Sequence, residues 1–162
     1  MDALEHYYEL TGEGAVTLMG LLFVVITLAA ERHQGDDEWL ARTFLTPTVF
    51  HLSVVFMIAL LALSSEADHL IPPFGLIGVL GLAYAVSIAR KVARSGEGWD
   101  AWLFHAGIPI VCYFGIIVAA WLGMNSMRPA YVILRTVSAL LLFVGVRNGW
   151  AVAMSVPRRK PN

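Results

Sequence analysis

Glu9, Glu13, Thr17, Gly20, Val24, Thr27 and Glu31 follow one another at alternating steps of four and three. That spacing puts all seven on one face of an α-helix. The stretch between Ala15 and Ala30 is otherwise apolar enough for a bilayer, so this face needs something other than lipid against it. Water, a cation or a tightly packed partner would serve. With Glu13 at the outer end, Thr17, Gly20, Val24 and Thr27 following inward and Glu31 at the inner end, the pattern reads as a cation path. A ring of glutamates concentrates cations at a pore entrance, and Glu5 and Glu9 extend a negative funnel above it. Packing is the competing reading, because a stripe of small residues is also a helix-docking face and acidic residues suit a helix N-terminus.

A second group of polar residues gathers towards the opposite end. Thr43, Pro47 and His51 share one helix face, and His105, Pro109 and Tyr113 share another. Both segments enter from the same side, so the two histidines differ in depth by about one turn, and Arg147-Asn148 reaches a comparable level from a last helix. His51, His105 and Arg147 are therefore expected to meet. Two histidines on different helices suit haem ligation or proton relay. A hydrogen-bonded knot around two proline kinks explains them equally well. Without Cys, Asp or Glu beside them they make a poor zinc site, and no metal or cofactor is expected. Arg135, a turn or so inside the outer end of the last helix, needs a partner at that depth. Glu13 is the most economical one, with Glu66 and Asp68 as competitors.

The elements that must position these groups are long apolar helices. Of the 162 residues, 58% are hydrophobic and 14% charged, against about 25% charged in soluble domains. Five spans are expected, at approximately 14–30, 43–64, 73–89, 101–124 and 130–156, in a single membrane domain covering 1–162. Arg32, Arg42, Arg90, Lys91, Arg94, Arg158, Arg159 and Lys160 fall in alternate connections, which places the N-terminus outside and the C-terminus in the cytoplasm. The acidic N-terminus is not a signal peptide. Trp39, Trp99, Trp102, Trp121 and Trp150, with Tyr7, Tyr8 and Tyr131, fall near span ends as interfacial anchors. Gly115, Ala119 and Gly123, then Gly145 and Gly149, form small-residue faces that imply a tight bundle, a homo-oligomer or both.

Several function classes are not expected. The single cysteine, Cys112, lies in an apolar run and suits packing. Net charge is −1 with no basic patch, which argues against nucleic acid. No phosphate loop, nucleophile elbow or metalloprotease pair is present, so the chain is not read as an enzyme. No internal repeat supports an inverted-repeat transporter.

The phrases Ala15-Val-Thr-Leu-Met-Gly-Leu-Leu-Phe-Val, Thr46-Pro-Thr-Val-Phe-His51 and Gly145-Val-Arg-Asn148 resemble those of a group of small multi-span bacterial inner-membrane proteins with no assigned activity. That resemblance implies a bacterial inner membrane. The first helix is also similar to the pore-lining helix of Orai calcium channels, which carries an outer glutamate above an apolar and glycine stretch. Orai proteins have four spans and a basic inner pore end, where this chain has Glu31.

The expectation is a homo-oligomeric, cation-conducting channel. Glu13, Thr17, Gly20, Val24, Thr27 and Glu31 line it, lipid surrounds it and inorganic cations are its partners. The alternatives are a haem- or proton-handling subunit built on His51 and His105, and a non-conducting accessory subunit of a membrane complex.

Overall fold

The computed structural model describes residues 2–32, 46–64, 71–95 and 98–155. These form α1 (Asp2–Arg32), α2 (Thr46–Leu63), α3 (Ile71–Ser95), a short α4 (Trp99–Trp102), a π-helical turn (Leu103–Gly107), α5 (Ile108–Gly123) and α6 (Met127–Ser155). No strand occurs among the described residues. Thr43, Glu66 and Asp68 lie outside them.

Spacing dictates which face of each helix is buried. Phe74, Gly78, Gly81, Ala85, Ile88 and Val92 repeat at four and three along α3, as do Ala130, Leu134, Val137, Leu141, Val144 and Asn148 along α6. Both sets face inward, as 3.6 residues per turn requires. α2 is apolar nearly all round, and it accordingly occupies the middle, against α1 and α6. α3 packs chiefly on α5, at the far side of the bundle from α1.

Two close approaches set the register. A Cβ at Gly81 would collide with the Tyr113 ring, so α3 offers a glycine as the seat for a tyrosine of α5. A Cβ at Gly145 would stand 2.7 Å from Leu52, so α6 and α2 nearly touch there. Small residues permit this approach, and dispersion across the contact repays it.

The outside of the bundle is apolar. Leu76, Val79, Leu80, Val111, Phe114, Trp121, Val132, Phe143 and Trp150 all point outward and are more than half exposed. Among the described residues, four helices contain stretches long and apolar enough to cross a membrane: Ala3–Val25, Pro72–Arg94, Leu103–Gly123 and Arg128–Ala151. The apolar run of α2, Pro47–Leu63, is shorter. The chain is thus consistent with a multi-pass membrane protein.

The helix that holds the first expected span begins at Asp2, and Tyr7 and Tyr8 dock its first turns onto α6 through hydrogen bonds to the carbonyls of Arg135 (2.6 Å) and Tyr131 (3.4 Å). Anchoring of that kind carries the helix through an acidic stretch that composition alone reads as a flank.

Candidate functional site

Two polar regions stand apart in the bundle, one on its outside and one in its core. The outer one is the exposed edge of α1. Its docked face consists of Tyr8, Thr11, Gly12, Ala15 and Leu22, all buried. Glu13, Thr17, Gly20, Val24 and Thr27 lie on the other side and are all exposed, and nothing comes within 4 Å of a Cβ at Gly20. Thr27 returns its hydroxyl to the Phe23 carbonyl at 2.9 Å. Glu31 belongs to the last turn of α1, but its side chain lies outside the described residues.

α1 and α6 run parallel, with Tyr7 bonded to Arg135, a Cβ at Gly14 at 3.8 Å from Leu142, and one at Gly149 at 3.0 Å from Leu22. Glu13 is therefore level with Leu141, about four turns or ~21 Å below the start of α6. This carboxylate is thus level with the middle of α6.

The expected Glu13–Arg135 pair does not form within the protomer. Among the described residues the one ion pair is His6–Glu9, at 3.7 Å and exposed. Arg135 is level with Tyr7, well over a turn above Glu13, and its guanidinium lies 5.8 Å from the Tyr7 ring centroid. Register separates the two charges, and an aromatic face takes the arginine instead.

The inner region is a buried cluster. His51, fully enclosed on α2, has Nδ1 at 2.7 Å from the Tyr113 hydroxyl of α5. Tyrosine side chains on a helix lean towards its N-terminus, and that lean brings Tyr113 down to the level of His51. Phe50 packs on Tyr84 at 4.3 Å between centroids and closes one side. His105, 6% exposed, lies within electrostatic reach of His51. It sits in the π-helical turn, where the Ile108 N–H bonds to Leu103 five residues back. Pro109 has no N–H to offer the His105 carbonyl, so the ordinary ladder is already interrupted at this point.

The sequence matches no known family model, no curated protein and no solved structure. Its sites are accordingly read from their own geometry.

α6 completes the inner cluster. Arg147 lies over the ring of Phe104, the residue next in sequence to His105, at 3.6 Å. Asn148, 1% exposed, comes one turn below the Gly145–Leu52 contact and so level with Thr48, which is fully buried. His51 and His105 are thus brought together, with Asn148 at the adjoining level and Arg147 capping the side. The partner that sequence reasoning missed is Tyr113 as the ligand of His51; its place on the His105–Pro109–Tyr113 face was the available signal. Among the described residues no three His, Cys, Asp or Glu side chains group as metal ligands do.

Proposed function

We propose that this chain is a homo-oligomeric, cation-conducting channel of a bacterial inner membrane, with α1 lining the path and the N-terminus outside. The reading rests on one observation: Glu13 is exposed on the outside of its protomer, level with the middle of the apolar helix α6, and no cation lies beside it among the described residues. A charge held at the centre of a bilayer costs about 2.5–3.5 kcal/mol even on the mildest insertion scale, and such groups face protein or water rather than lipid. The protomer supplies neither on that side. A second copy supplies both if several α1 helices surround one axis, their glutamates meeting across water.

The rest of the edge fits that arrangement. Thr17 and Thr27 offer hydroxyls, Gly20 lets helices crowd the axis, and Val24 between them narrows the path with an apolar constriction that gates by dewetting. Val24 is 56% exposed and thus free to face its own copies.

Planar-bilayer recording of the purified full chain under a salt gradient tests the proposal. The wild-type protein is expected to give currents reversing near the cation equilibrium potential, and Glu13→Gln to move that reversal towards zero. Absence of current from well-incorporated protein, or a permeability ratio unmoved by Glu13→Gln, overturns it.

A further inference from the structure

We propose that the inner cluster is a built site for a water molecule, held between Nε2 of His51 and the side-chain amide of Asn148. This inference is independent of conduction along α1, which runs on the opposite side of the α2 contact.

His51 has 0% of its surface exposed and Asn148 1%. Among the described residues, neither Nε2 of His51 nor the Nδ2 and Oδ1 atoms of Asn148 has a hydrogen-bond partner. An orphaned buried polar group is costly, and two such residues within a turn of each other in register call for a shared partner. Ser138 also has an unpartnered hydroxyl. A serine on a helix can turn its hydroxyl onto a carbonyl of its own preceding turn, so it needs no guest. The His51 imidazole has no such local remedy, and Asn148 leaves both ends of its amide unpartnered.

Donor and acceptor roles identify the guest. Tyr113 is fully buried, and its phenol proton is satisfied only by donation into Nδ1 of His51. The reverse arrangement strands that proton. His51 then carries its own proton on Nε2, a tautomer assigned here from hydrogen-bond satisfaction. The site thus presents one imidazole N–H, an amide N–H₂ and an amide carbonyl. A bare cation would meet two donors and one acceptor, and an anion would be repelled by the carbonyl. A small neutral molecule that both donates and accepts satisfies all three, and water is the one always present. The register supports a shared position: Gly145 against Leu52 brings α6 close to α2 one turn above Asn148, and Arg147 over Phe104 holds α6 against the π-helical turn.

Water-edited solid-state NMR on the full chain in lipid bilayers, with ¹⁵N-labelled histidine, tests this directly. The resonance is assigned by its disappearance in His51→Phe. Expected in the wild type are a protonated Nε2 on His51 and magnetisation arriving there from water, despite complete enclosure. Asn148→Leu is expected to abolish that transfer while leaving the Tyr113 bond to Nδ1. A wild-type His51 that receives nothing from water, or whose Nε2 carries no proton, overturns the proposal, and this measurement stands even if Asn148→Leu does not fold. Undiminished transfer in a folded Asn148→Leu protein overturns the shared site.

Discussion

The Tyr113 hydroxyl lies 2.7 Å from Nδ1 of His51, joining α5 to α2 across the centre of the bundle. Both residues are fully enclosed, so water cannot replace the bond from outside if one partner is removed. Tyr113→Phe retains the ring and deletes only the oxygen. It leaves Nδ1 of His51 without a partner and is expected to cost about 1–3 kcal/mol. Thermal unfolding in detergent should show a lower Tm for this variant, with helix content unchanged below the transition. An unaltered Tm would mean that the bond contributes nothing net.

The seat beneath that ring makes a second prediction. Gly81 faces the Tyr113 ring so closely that a methyl group would overlap it. Gly81→Ala must displace either the ring or α3, an overpacking cost of about 1–3 kcal/mol. Shortening the partner should relieve it: Gly81→Ala is expected to be less destabilising in a Tyr113→Leu background than in the wild type. Equal losses in the two backgrounds, read as Tm in the same detergent, would break the link between the residues.

Both relationships mark the limit of what spacing along the chain conveys. The four-three repeats from Phe74 to Val92 and from Ala130 to Asn148 define buried faces by themselves, because helix geometry fixes side-chain direction. The level of one helix against the next is a different quantity, set by contacts such as Gly145 on Leu52. Glu13 illustrates the consequence. Acidic residues at 5, 9 and 13 look like a flank, whereas Tyr7 and Tyr8 dock the same segment onto α6 and set Glu13 level with the middle of that helix. The meeting of His51 with His105 was legible because both depths count from the same side. The π-helical turn was not, since an extra residue in a turn follows from packing around Pro109 and leaves no periodic trace.

Haem ligation by His51 and His105 would need room beside two buried rings. His51 is fully enclosed and His105 is 6% exposed, and Phe50 lies beside His51 and packs on Tyr84. Admitting a porphyrin would dismantle the α2–α5 contact. Protein purified from cells supplied with haem precursor is therefore expected to show no Soret absorbance. A Soret band lost in both His51→Ala and His105→Ala would establish ligation and refute the enclosed cluster.

The exposed edge of α1 can be probed without measuring current. A cysteine at Gly20 would project into open space, and the native Cys112 is buried at 1% exposure, out of reach of a neighbouring chain. If copies of α1 surround an axis, Gly20→Cys places thiols of adjacent protomers side by side, and mild oxidation in lipid should give a disulfide-linked dimer on a non-reducing gel. Ala83→Cys supplies the contrast: it is equally exposed, but on α3, which packs chiefly on α5 and lies away from α1. Cross-linking at position 20 with none at 83 fits an axis lined by α1. Equal yields at both positions would indicate random collision in the membrane, and no yield at position 20 would leave Glu13 facing something other than its own copies.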